Sequence, residues 1–308
     1  MLSNVILQPS DWLSRQYAHE TRVRAWTDPH QARTARGIKH PVYDFLFTYY
    51  SFRPSWLRRW HPGPEIALSG EEADLFLRWP EYRRTARGVE LDASRLRAHR
   101  RESVAHIRNL LVTTQQRPPF FSCFGLHEWA MVYQQTPEEI RHNNFPLRFS
   151  AEEIRRIVEA TPVCCTHFDA FRFFTIPARP LNRYQPTRET VGELEQRGCL
   201  HANMDLYKWA FKLSPFTPSE LVADCFELAH DIREIDMRAS PYDLTSLGFA
   251  PIAVETPEGR VEYEHYQREF AVRGEPLRSR LISLCDWLLD ADAPEVAHSN
   301  FLHPSLKM

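Results

Sequence analysis

Glycine is scarce in this chain. The ten that occur are scattered, with no two closer than six residues. That spacing excludes the G-x-G-x-x-G turn of dinucleotide binders and the phosphate-cradling P-loop. No G-x-S-x-G nucleophile elbow occurs. The H-E-x-x-H zinc motif fails because Met131 stands where the second histidine belongs. The H-x-E and P-C-x-x-C pair of zinc deaminases is absent as well. None of the six cysteines is spaced C-x-x-C, and Cys164 and Cys165 are adjacent. That is neither a zinc framework nor a secreted disulfide set, so free buried thiols are expected. No apolar run reaches the roughly 18 residues of a membrane-spanning helix. The opening MLSNVILQPSDWL lacks the basic start and long apolar stretch of a signal peptide, so a cytoplasmic location is expected. Lysine is scarcest of the charged residues: only Lys39, Lys208, Lys212 and Lys307 occur among 38 basic residues. So strong an arginine bias suits a GC-rich genome, and most arginines then need no functional account.

What the chain does have is apolar bulk. Of 308 residues, 43% are hydrophobic and 12% aromatic, enough for a sizeable core. Charged residues make up 25%, the ordinary share for a globular chain. The net charge of −2 is unevenly spread: residues 1–120 hold 19 Arg+Lys against 12 Asp+Glu, and the remainder hold 19 against 28. The basic part can face a polyanion or pair with the acidic remainder. Pairing needs no ligand and is the expectation. No repeat or low-complexity linker interrupts the chain. The expected fold is mainly α: one compact multi-helix domain over residues 1–308 with at most a few short strands, basic over 1–120 and site-bearing over 121–308.

Ser10 and Asp11 suit the start of a helix that Gly37 ends. Residues 40–63, HPVYDFLFTYYSFRPSWLRRWHPG, are dense in aromatics, and Asp44 is the one acid inside the block. Arg53, Arg58 and Arg59 interleave with Trp56 and Trp60, which fits a phosphate or base-stacking surface as well as arginines snorkelling over a helix. EYRRTARGVELD fits a small hairpin around Gly88. Residues 93–116 predict an amphipathic helix whose Arg95, Arg97, Arg100, Arg101 and Arg108 form a solvated face. His127 and Glu128 are consecutive, so on a helix they diverge by about 100° and make no metal pair by themselves. Thr136 and Ser150 each open a capping-box sequence. In residues 160–182, His167, Asp169 and Arg172 stand among Phe168, Phe171, Phe173 and Phe174. So apolar a segment requires the polar trio to be hydrogen-bonded or used. Beyond Gly248 a short strand-like run precedes a helix start at Thr256-Pro257. An interruption is expected at Gly274-Glu275-Pro276, helical sequence continues to about Asp290, and the tail AHSNFLHPSLKM (297–308) is expected to be loosely ordered.

The most informative stretch is 198–244, GCLHANMDLYKWAFKLSPFTPSELVADCFELAHDIREIDMRASPYDL. With His201 at 0° and about 100° per residue, Asp205, Lys208 and Lys212 all fall within about 40° of it. They form a narrow polar stripe on a helix that is otherwise apolar. Such a helix is mostly buried, and its stripe is either a strip of solvent contact or a pocket wall. The next helix starts with Thr217 as cap, Pro218 at its first position and Glu220 completing the box. Leu221, Cys225, Leu228, Ile232 and Ile235 make its apolar stripe. Glu227, His230, Glu234 and Arg238 fall on the opposite side and are expected to be exposed. Asp236 falls inside the apolar sector, about 60° from Leu221, where a carboxylate must find partners or change its pKa.

At 40–63, CFGLHEWAMVY (123–133), CTHFDAFRFFT (165–175), ARPLN (178–182), 198–244 and 261–280, the chain resembles a bacterial family commonly labelled 3-methyladenine DNA glycosylase. The likeness runs over nearly the whole chain. It implies DNA repair by excision of an alkylated purine, with damaged DNA or a modified nucleoside as partner and no cofactor. That chemistry needs a carboxylate to stabilise an oxocarbenium-like sugar or activate water, aromatic walls for the base and cations for phosphates. Asp236 or Asp205 fits the carboxylate, and Lys208 a phosphate contact or a nucleophile. Tyr207 and Trp209, with Phe168 and Phe171, fit the walls. His167, Asp169, Arg172, His201 and Lys212 are further candidate binding residues. The residues also fit a metal enzyme: His167, Asp169, His201 and Asp205, with Glu128 or Asp236, could hold non-haem iron or manganese. A third class is a non-catalytic helical scaffold whose polar groups are structural.

Overall fold

The computed structural model describes residues 5–140 and 144–290. The fold is mainly helical. In chain order the helices are α1 (Pro9–Ala35), α2 (Phe45–Tyr49), α3 (Pro54–Leu57), α4 (Ala98–Gln116), α5 (Leu126–Ala130), α6 (Ala151–Ala160), α7 (Phe168–Phe171), α8 (Val191–Leu194), α9 (Leu200–Lys212), α10 (Ser219–Arg238) and α11 (Pro257–Asp290). Among the described residues four short strands, β1 (Val5–Leu7), β2 (Ile66–Leu68), β3 (Tyr82–Thr85) and β4 (Gly88–Leu91), form one sheet in the order β1-β2-β4-β3. β1 and β2 are parallel, and the other two pairings are antiparallel. The β3–β4 pair is the hairpin expected around Gly88. No described helix is long and apolar enough to cross a membrane.

The centre is built from α9 and α10, with α11 lying against both and against α4. Apolar residues surround α9 on nearly every side, so it has no solvent face to choose and sits inside the bundle. Its approach to α11 is close. A Cβ on Gly274 would come within 2.5 Å of Asn203 Oδ1, so only glycine fits there. The same Asn203 oxygen accepts from Arg278 Nη2 at 2.6 Å. α11 therefore runs unbroken through Gly274 and Pro276, against the expected interruption: packing on α9 outweighs one lost backbone donor.

Several local expectations change. α1 begins at Pro9, with Gln8 rather than Ser10 at its cap. Thr217 does not cap α10. Its hydroxyl donates to Ala210 O at 2.8 Å, and Glu220 is taken up by Arg15 and Trp60. Ser150 forms its capping box, whereas Thr136 starts no helix among the described residues. Among the described residues no strand follows Gly248. His230 is half-buried and stacks on Tyr43 at 5.0 Å; Glu234 and Arg238 are half-buried, and of the four only Glu227 is exposed. The arginines of α4 are not a free solvated face, because Arg108 pairs with Asp286 and Arg101 reaches Leu289 O on α11. Asp44 is held by His30 and Arg33, a bonded carboxylate in the core. The charge halves do pair: Arg15 meets Glu220 and Arg22 meets Asp224, each at 2.8 Å. All six cysteines are free. The expected loose tail lies outside the described residues.

Candidate metal centre

The sequence around Gly125 folds into a tight turn, with φ +71°, that opens α5. A Cβ there would press on Ala239 and Tyr263 at 3.2–3.3 Å, so glycine lets α5 lie against the end of α10. Trp129 Nε1 then donates to Ala239 O at 2.9 Å. This docking lays His127 on Asp236, the acid that interrupts the apolar stripe of α10.

His127 Nε2 and Asp236 Oδ1 are 2.8 Å apart and almost wholly buried. They do not align as a hydrogen bond, and each atom is otherwise unpartnered. The His201 ring stands edge-on to His127, with centroids 4.6 Å apart. Donor atoms of His127, His201 and Asp236 all lie within 4.8 Å of one another. His201 makes no side-chain hydrogen bond to the protein; burial, with the neighbouring His127, pushes its imidazole down to about 3, so it is neutral, with one nitrogen lone pair free. Burial opposes charge on His127 and on Asp236, but their mutual attraction outweighs it. It holds His127 well above, and Asp236 well below, their ordinary ranges. Around them, Cys123 Sγ lies 3.8 Å from His127 Nδ1, and Arg233 Nη1 donates to Asp236 Oδ2 at 3.0 Å and to Glu128 Oε1 at 2.9 Å.

A second cluster adjoins the first through His167, whose ring stacks on His201 at 5.3 Å. His167 caps α7: its Nδ1 accepts from the Ala170 N–H at 3.3 Å. A neutral imidazole that accepts at Nδ1 carries its proton on Nε2. That proton faces Glu195 Oε1 at 3.3 Å and Asp205 Oδ2 at 3.4 Å. Asp205 also accepts from Lys208 Nζ at 2.7 Å and from Tyr50 OH at 2.7 Å. Burial works against the charge on Asp205, but Lys208 and His167 hold its carboxyl well below its usual range. Lys208 reaches Asp169 Oδ2 at 3.2 Å, and Arg172 lies 3.3 Å from the other Asp169 oxygen. The donors His167, Glu195 and Asp205 are close enough for an ion. The α7 cap, however, uses Nδ1 of His167, and Lys208 and Tyr50 already bond both oxygens of Asp205, although His167 Nε2 itself has no aligned hydrogen bond.

A narrow pocket of about 40 Å³ reaches the first cluster at His201 alone of its three members, and is lined also by Phe45, Tyr49, Glu128, Asp169 and Arg233 among others. Volume of that order admits an ion with a few waters or the reacting end of a substrate.

The structure thus divides the expected site residues. His201 and Asp236 meet in the first cluster, with Glu128 on the pocket wall. His167, Asp205 and Lys208 belong to the second, with Asp169 and Arg172 at its outer end. Lys208 is clamped between two carboxylates that raise its pKa after offsetting burial, which is the wrong state for a nucleophilic amine. Tyr207 is 1% exposed and packs on Phe226, so it is a core residue. Trp209 lies under Lys208 and Lys212 and lines neither cluster. Lys212, the last residue of the stripe, is exposed. Phe171 is buried in the core. Sequence reasoning missed His127, Arg233, Glu195, Tyr50 and Cys123. Arg233 had a usable signal, three residues before Asp236 on one helix. The others meet the site only through the fold. No protein-family model matches the chain, and no curated protein or solved structure matches it either.

Proposed function

We propose that the protein is a metal-dependent enzyme with Fe²⁺ or Mn²⁺ held by His127, His201 and Asp236. The observation that carries this reading is the His127–Asp236 contact. Two buried donors sit 2.8 Å apart without hydrogen-bond alignment, beside an imidazole with no partner. Two donors about 2.1 Å from one ion at a right angle lie about 3 Å apart, so the spacing suits co-ligands. Two histidines and one carboxylate are the donor set of non-haem iron centres, which keep open positions for substrate and a second small molecule. The supporting groups fit too. Arg233 fixes the second oxygen of Asp236, and Cys123 faces the second nitrogen of His127. Six free thiols suit a reducing cytoplasm. A divalent ion there would supply open positions to a substrate, whose reacting end would enter through the pocket past the stacked Phe45 and Tyr49 rings. The test is metal analysis of protein purified without chelator, followed by nitric oxide binding to the anaerobic Fe²⁺ form. About one ion per chain and a nitrosyl EPR signal are expected, both lost in His127→Ala and His201→Ala. Protein that takes up no iron or manganese sinks the proposal.

Base excision from alkylated DNA, the activity implied by the family resemblance, is the second reading. A surface groove of about 420 Å³ favours it, lined by Phe52, Trp56, Arg59, Phe211 and Lys212. Arg53 and Arg59 lie over the exposed Trp56 ring at 5.7 and 5.4 Å, a surface that suits bases and phosphates. Against it, Asp236 is 0% exposed, and the adjacent pocket, which Asp236 does not line, is far below the roughly 300–1,000 Å³ of ordinary small-molecule pockets. Release of methylated bases that survives chelation but not Asp236→Asn would establish this reading over the first.

A further inference from the structure

Arg233 is almost fully buried, 1% exposed, yet it is only half satisfied. Its Nη1 edge holds Glu128 and Asp236. Its face lies over the Phe45 ring, with Cζ 3.7 Å from the centroid. Its Nε and Nη2 have no partner. These two N–H groups form one side of the guanidinium fork, the side that takes a carboxylate with two parallel bonds. Arg233 lines the pocket that His201 and Glu128 also line.

We infer that this free edge of Arg233 is the seat of a small carboxylic acid that binds beside the ion. The inference rests on the metal reading for its catalytic meaning, although the seat itself is built from protein groups alone. Three features select a carboxylate. First, Phe45 on its face and two carboxylates on its far edge fix the direction of the fork, so its two unpartnered N–H groups are already aligned for a planar bidentate oxyanion. Second, charge: with a divalent ion and neutral imidazoles, Asp236, Glu128 and Arg233 leave one positive charge for a monoanion to cancel. Third, size: a pocket of about 40 Å³ takes a carboxylate group with one or two carbons and excludes a ring. Asp169, at the pocket, does not repel such an anion, because Lys208 and Arg172 already neutralise it.

The probe is acetate, with acetamide as its neutral isostere, titrated calorimetrically into metal-free and Mn²⁺-loaded protein. Acetate is expected to bind at least about tenfold more tightly than acetamide, and Arg233→Lys to remove that preference while the protein still melts cooperatively. Lysine keeps the charge but lacks the fork. If Arg233→Lys does not fold, the acetate–acetamide contrast in wild type decides alone. Mn²⁺ bound at about one per chain with no preference for acetate overturns the seat and leaves the metal centre standing. A preference for acetate in protein that binds no Mn²⁺ supports the seat and removes the metal centre.

Discussion

Two histidine–carboxylate clusters lie side by side in this protein, with the rings of His201 and His167 stacked at 5.3 Å where they meet. Both are buried, both pair imidazole with carboxylate, and both have donors close enough to share an ion. They differ in satisfaction. Around Asp205 each oxygen has a hydrogen-bond donor, Lys208 on one and Tyr50 on the other, and the α7 cap uses Nδ1 of His167, which leaves one unpartnered atom there, His167 Nε2. Around Asp236, one oxygen, one imidazole nitrogen of His127 and two nitrogens of Arg233 have no partner, although all are buried. Buried polar groups are nearly always paired, so the four orphaned atoms around Asp236, against one in the other cluster, are what the metal proposal rests on. Proximity of ligand-type residues is common to both clusters; only the pattern of used and unused donors separates a structural network from a binding site.

The largest effect that tests this contrast is on metal content. Replacing His127 or His201 by alanine is expected to take bound iron or manganese from about one per chain to near zero, whereas His167→Ala retains it. Elemental analysis of the three variants checks this, and loss of metal in His167→Ala alone would reverse the roles of the clusters. The next is stability. Asp205→Asn leaves Lys208 and His167 without their shared buried carboxylate and is expected to cost about 3–5 kcal/mol in denaturant unfolding, with metal retained. A smaller effect sharpens the account of the first cluster. Cys123→Ala removes the group beside His127 Nδ1 and is expected to weaken metal binding about 10–100-fold, read by competition with a chelator of known affinity.

A histidine outside both clusters supplies the pH control. Burial pushes His61 down from 6.5 to about 3, so the folded protein keeps it neutral where the unfolded chain protonates it. The unfolded state then binds more protons between those values, and stability falls as pH drops through that window. His61 contributes up to about 1.4 kcal/mol per pH unit. Urea melts at pH 6.5 and pH 4.5 should show a shallower decline in His61→Gln. The smallest effect belongs to Lys212. It continues the polar stripe of α9 but is exposed, so Lys212→Ala should leave metal content unchanged and stability within about 0.5 kcal/mol. A loss of metal there would mean that the stripe acts as one unit.

Much of the fold was legible because its signals are local. The hairpin at Gly88, the Ser150 capping box, the all-round burial of α9 and the acid inside the apolar stripe of α10 each follow from residues within a few positions of one another. Half of the site was legible for the same reason: His201, Asp205 and Lys208 share a helix face, and Asp236 breaks an apolar one. The spacing of α9 did not reveal that the stripe is split, with His201 turned to one cluster and Asp205 to the other. Nor could helix geometry join His127 to Asp236. They are adjacent because Gly125 lets α5 approach α10, a contact between segments far apart in the chain.

By itself, then, the sequence determined the helical class, the burial of α9 and α10, and the presence of carboxylates and imidazoles in apolar surroundings. Periodicity and capping act over a few residues, and burial follows from them. Tertiary structure alone decided which of those groups complete one another. A hydrogen bond or a shared ligand depends on distances of about 3 Å and on the direction of single lone pairs. Those are set by the docking of whole helices, and here that docking satisfies Asp205 and leaves Asp236, His127 and Arg233 open.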